Sequence, residues 1–228
     1  TLALPGTVVD GEAISMFLDC SKSEDATALM GCRCSDGFNF VIDVWQRPRG
    51  KRGEGFRVDR VEVDASVRQA FEMYRVKWFG VDPSPAADDE SEAEYWAEMV
   101  DGWHRDFGKR LRLWASTQNA VLFDMRMSKP GGRQRNRLFV EQAEIVARQI
   151  DEEGLDGPLR HDGNSSLRTH VHNAKKRNSE FGFTLGKVTR DSSKLVDLAV
   201  AMVGANLGRR LLLNSGKYRP GRKAKVSF

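Results

Sequence analysis

Three aspartates stand where an acid is costly. Asp19 closes the apolar run 14–18, Asp82 closes 76–81, and Asp197 lies in 194–207 (KLVDLAVAMVGANL), where nearly every neighbour is aliphatic. In that last stretch Leu195, Val196, Leu198, Val200, Met202 and Val203 cover most of a helical circumference, so the helix is expected to pack on most sides. A carboxylate there must be paired, protonated or bound to a cation, because burying an unpaired charge is strongly unfavourable. Two strand-end acids and one from a late helix can converge on Mg²⁺ or Mn²⁺, which prefer hard oxygen ligands. Such a centre suits phosphodiester hydrolysis: one ion activates the attacking water while a second stabilises the leaving oxygen. Asp19 would then bridge both ions, with Asp82 and Asp197 holding one each. Taken singly, each acid also has a structural reading. A strand-end aspartate commonly forms a turn or caps a helix, and Lys194, one turn ahead of Asp197, is placed to pair with it.

These acids need a sheet and a late helix to hold them. Segments 13–19 (AISMFLD), 26–34 (ATALMGCRC) and 38–46 (FNFVIDVWQ) are β-rich, strand-length and separated by polar breaks, which predicts an antiparallel meander. Asp36-Gly37 supplies the hairpin signal between the last two. Residues 46–57 are rich in Pro, Gly and Arg and predict a flexible basic loop, either DNA-contacting or merely disordered. A helix fits 59–74 with Asp59 at its N-cap, and a strand at 76–82 is halted by Pro83. Further on we expect an acidic helix within 88–107, a short strand at 111–114, helices at 139–153 and 169–176, a strand at 182–188 and the helix 194–207. This is a mixed α/β pattern.

With 228 residues the chain is expected to form one domain, 1–208, followed by a basic tail, 209–228, expected to be disordered. That tail carries seven basic residues and no acid, whereas 88–98 carries six acids and no base. The overall charge of +4 is compatible with a polyanionic partner but is weak support alone. No apolar run is long enough to span a bilayer, and no secretory signal is visible, so the expected location is the cytoplasm. Cys20, Cys32 and Cys34 lack zinc-site spacing and are expected to be reduced and buried. His161, His170 and His172 likewise make no zinc pattern and are read as hydrogen-bonding or surface groups. No G-x-x-x-x-G-K-[ST] loop occurs, so there is no ATP site in this chain. The chain opens on Thr1 rather than Met, which fits a portion of a longer protein.

The stretch 17–31 (FLDCSKSEDATALMG), in which an acid closes one strand and a Ser-Lys-Ser-acid-Asp-x-Thr run leads into the next, resembles the nuclease domain of tailed-phage large terminase subunits. The resemblance continues through 37–48, 61–74, Val81-Asp82-Pro83, 161–173 (HDGNSSLRTHVHN) and the helix opening at Lys194. It implies an RNase-H-like mixed central sheet flanked by helices, and endonuclease cleavage of concatemeric double-stranded viral DNA during packaging. It further implies Mg²⁺ or Mn²⁺ at Asp19, Asp82 and Asp197, with Asp25 as an accessory acid. The implied partners are duplex DNA, an ATPase domain ahead of the nuclease, the small terminase subunit and the portal protein, in the host cytoplasm. Cys20 departs from the small residue expected after the first acid, and the acidic stretch 88–103 is expected to face away from DNA. Lys22, Lys187, Arg190 and Lys194 lie near the motif positions and are candidates for phosphate contacts, with solvated surface charge as the alternative. Two other functions fit the same residues. One is a resolvase- or transposase-type nuclease; the other is a non-catalytic module docking on DNA or the portal.

Overall fold

The computed structural model describes residues 2–3, 8–22, 25–48, 50–83, 90–151, 159–189 and 192–219, with the backbone alone for 2, 3 and 52. Its main sheet has the strand order β1 (Leu2–Ala3), β6 (Arg160–His161), β4 (Asn39–Trp45), β3 (Thr27–Arg33), β2 (Ala13–Asp19) and β5 (Arg75–Asp82). The meander β2-β3-β4 is antiparallel, while β5 runs parallel to β2. Gly37, with φ of 77°, supplies the left-handed residue of the hairpin between β3 and β4.

Alternation along the strands divides the core in two. Ile14, Met16 and Leu18 of β2, with Phe79 and Val81 of β5, meet Phe71 of α1 (Arg60–Met73) and Trp96 and Trp103 of α2 (Glu90–Phe107). On the opposite face Phe17 of β2 and Trp78 of β5 meet Phe139 of α3 (Gly132–Asp151) and the aliphatic side of α5 (Asp197–Asn214). The period of two thus places a helical layer on each face. Two glycines set how closely α5 lies on the sheet. A Cβ on Gly204 would meet the Phe17 ring at 2.3 Å, and one on Gly208 the Trp78 ring at 2.1 Å.

Several predicted boundaries shift. The α5 helix ends at Asn214 rather than 207, because Arg209 Nε donates to the Cys34 carbonyl (3.1 Å) and Arg210 Nη2 to that of Leu138 (3.1 Å). Residues 209–214 therefore belong to the folded domain, and 220–228 lie outside the described residues. The predicted helix at 169–176 is displaced: α4 (Ser165–Asn173) starts earlier because Asn164 accepts from the Ser166 and Leu167 amides. Residues 175 and 176 instead open the hairpin β7 (Lys175–Ser179) and β8 (Gly182–Gly186). No strand forms at 111–114; residues 121–123 flank β5 instead, through a parallel bridge from Val81 to Leu122. The basic loop contains a 3-10 turn, Gly50–Gly53, fastened by Arg47 Nε on the Gly53 carbonyl at 2.7 Å. Helix α3 begins seven residues before the predicted start at 139, since its polar first turns carry no apolar periodicity.

Candidate metal centre

Asp19 and Asp82 are the last residues of β2 and β5 and are register partners across that parallel pair. Both lie an even number of residues from side chains on the α5 face, Phe17 and Trp78, so both side chains project to that face. Asp197 opens α5 there, at its first turn rather than inside it, and its Oδ2 accepts the Val196 amide at 3.2 Å. All three are only 4% exposed. Burial, followed by the fields of Asp197, Asp82 and Asp25, holds the Asp19 carboxyl well above the usual range. Asp197 is pushed up to about 7 by burial and then by Asp25, against the opposing pull of backbone hydrogen bonds and Lys187.

The loop after β2 is shaped by Thr27, whose Oγ1 accepts the Ser21 amide and donates to the Ser21 carbonyl, both at 2.9 Å. Ser21 Oγ then accepts the Asp25 amide at 3.2 Å, which keeps Asp25 near the strand ends. The Asp25 carboxylate is held by Lys187 Nζ, which follows β8.

The four acids line one open cleft of about 1720 Å³. Arg47 after β4, Ser165 and Thr169 of α4, Arg177 of β7 and Lys194 also face it. Lys22 is placed elsewhere, with its ammonium 5.7 Å from the centre of the Tyr95 ring. Arg190 lies outside the described residues. The acidic helix does not wholly face away: Glu92, in the first turn of α2, lines the cleft. His170 is buried, accepts the Leu198 amide at Nδ1 (3.1 Å) and is lowered to about 4 by burial. Cys20, Cys32 and Cys34 are buried and free of disulfides, and burial raises all three thiols.

Among the described residues, no three His, Cys, Asp or Glu side chains stand in ready coordination geometry. The donor set nonetheless fits hard divalent cations. Mutually repelling, almost buried carboxylates offer oxygen ligands and a local excess of negative charge.

One group beside the centre is absent from the sequence reading. Asp124 and Arg126 are buried and joined by a forked ion pair, while Arg135 Nε donates to the Asp124 carbonyl at 2.7 Å. Burial lowers Arg135, and the charges of Asp124 and Asp82 oppose that shift. The signal is the same as for the other acids, since Asp124 closes the apolar run 120–123 (AVLF).

No family model matches the chain. The Gene 13 proteins of Mycobacterium phages L5 and D29 are each 41% identical over 217 residues, covering 95% of this chain and 32% of theirs. The chain thus spans about a third of the length of the curated relatives it matches. Among solved structures, it resembles the large terminase nuclease from thermophilic phage G20c with bound magnesium, at a TM-score of 0.51, 12% identity and 92% coverage of each chain. It also resembles the HK97 bacteriophage large terminase, at a TM-score of 0.53 and 16% identity, over 90% of this chain and 40% of that one. At such identities the likeness speaks for the fold, and the chain has the RNase-H-like mixed α/β fold of phage large-terminase nuclease domains.

Proposed function

We propose that this chain is the nuclease part of a phage large terminase subunit, a divalent-metal-dependent endonuclease that cuts concatemeric duplex DNA during packaging in the host cytoplasm. The observation that carries this reading is the meeting of three almost buried carboxylates, Asp19, Asp82 and Asp197, at one end of the sheet. The G20c nuclease, whose fold is similar, is described with bound magnesium, which supports Mg²⁺ or Mn²⁺ here. The chemistry supplied by two bound cations is activation of the attacking water and stabilisation of the leaving oxygen.

The chain's own residues prepare that chemistry. Asp19, Asp82 and Asp197 would hold the cations, with Asp25 as an accessory ligand; Asp19 feels the charges of the other three. Their burial keeps solvent from screening the charges they hold. Arg47, Arg177 and Lys194 line the cleft where a phosphate backbone would run, and Lys187 at Asp25 stands close to it. Because the chain spans a third of the relatives' length, an ATPase domain, the small terminase subunit and the portal are proposed as partners of the longer protein. Among the described residues, no helix is long and apolar enough to cross a membrane.

The test is cleavage of supercoiled plasmid by the purified domain with Mn²⁺, Mg²⁺ or EDTA. Nicking and linearisation should require the cation, and Asp19→Ala and Asp197→Asn should each lower the rate at least ~100-fold with an unchanged circular dichroism spectrum. Cation-independent cleavage, or full activity in both variants, would refute the assignment.

A further inference from the structure

We propose that Arg135 is a positioning residue for Asp82, acting through the peptide group that joins Asp124 to Met125; this rests on the metal-dependent nuclease reading above. The flanking segment is hydrogen-bonded along β5 up to the residue before the acid, with the Val81 amide donating to the Val121 carbonyl and the Phe123 amide to the Val81 carbonyl, both at 2.8 Å. The next polar contact reaches Asp82 itself. The Met125 amide faces Asp82 Oδ1 at 3.5 Å, the outer limit of hydrogen bonding. The carbonyl of that same peptide group accepts from Arg135 Nε at 2.7 Å. A guanidinium on the carbonyl fixes the peptide plane and polarises its N–H toward the carboxylate.

The surroundings hold that peptide from both sides. The Arg126 amide donates to Asp124 Oδ1 at 3.0 Å, and its guanidinium spans both Asp124 oxygens, closing a loop around Met125. Arg126 Nη1 continues to Glu90 at 3.2 Å, tying the loop to the start of α2. Arg135 is brought back over the loop by a tight turn in which a Cβ on Gly132 would lie 1.8 Å from the Arg126 carbonyl oxygen. Its Nη2 is anchored on the Pro130 carbonyl at 2.9 Å. Nothing in this arrangement requires Arg135 to touch DNA.

The experiment is calorimetric titration of the domain with Mn²⁺, alongside plasmid-cleavage kinetics, for the wild type, Arg135→Met and Arg135→Lys. Arg135→Met should weaken Mn²⁺ binding about tenfold and lower kcat with little change in KM for DNA, and Arg135→Lys should recover part of the loss. Should Arg135→Met fail to fold, Arg135→Lys must still bind Mn²⁺ measurably more weakly and shift the Met125 amide ¹⁵N resonance. Unchanged Mn²⁺ affinity with a raised KM would make Arg135 a DNA contact and overturn the proposal. A wild-type domain that binds no Mn²⁺ would instead overturn the nuclease reading, and the positioning role with it.

Discussion

Asp197 resists ionisation, with a folded pKa of about 7 against an ordinary 3.8. A carboxyl raised by folding contributes stability that is complete below its ordinary pKa and is lost as pH rises through the folded value. Asp19 shifts in the same direction. The metal-free domain should therefore lose melting temperature between about pH 4 and pH 7, and Asp197→Asn should flatten that loss. Mg²⁺ should raise the melting temperature more at about pH 8 than at about pH 5.5, since binding requires the ionised ligands. Equal Mg²⁺ effects at the two pH values would disconnect these acids from the cation. Lys187 makes a second prediction. Its place in the sequence suggests a phosphate contact, and the structure sets it on Asp25. Lys187→Met should therefore strengthen Mn²⁺ binding by roughly threefold, about 0.7 kcal/mol, by removing a competing cation; calorimetry showing weaker binding would reverse that role. The three principal acids are legible because each ends or interrupts an apolar run. Asp124 carries the same signature but stays hidden, because the sequence points to a strand at 111–114 where the structure has its extended segment at 121–123.

At the scale of elements, apolar strand-length runs bounded by polar breaks expose β2 with its full range 13–19, and they place β3, β4 and β5 to within a residue or two. Apolar periodicity likewise finds α1 and α2. Elements without such a pattern are less legible. The early turns of α3 are polar, and β7 is mostly exposed and basic, so neither carries the alternation that a buried face imposes. The spacing Gly204-x-x-x-Gly208 is visible within an aliphatic helix, but what those glycines face is not. The structure gives them a strong expectation. An unconstrained helical glycine replaced by alanine gains roughly 1 kcal/mol. Here Gly204→Ala and Gly208→Ala should each instead cost about 1–3 kcal/mol, because the added methyl meets the Phe17 or Trp78 ring. Urea melts decide the matter by the sign of the change.

On the scale of the whole molecule, the charge read from the sequence divides into two parts that the linear pattern joins. Arg209 and Arg210 are structural, bonded to backbone carbonyls, while the other five basic residues of the tail follow α5. Ending the chain after Tyr218, which packs against the core, should leave the melting temperature unchanged and flatten the salt dependence of DNA binding, by roughly one unit of log–log slope for each phosphate the tail neutralises. Ending it after Gly208 should abolish cooperative melting, because Leu212 is fully buried and both arginines are removed. Identical salt slopes before and after the first truncation would deny the tail any electrostatic part in binding. The placement of Asp197 at the start of α5 has a kinetic consequence. Its partner Asp19 lies near the other end of the chain, and the helix that carries Asp197 also seals the core over β2, β3 and β5. Closing so long a loop is slow and comes after local pairing. A chain on which α5 has not yet docked lacks its third acid. On the proposed nuclease reading, cutting activity should therefore appear only together with the completed fold.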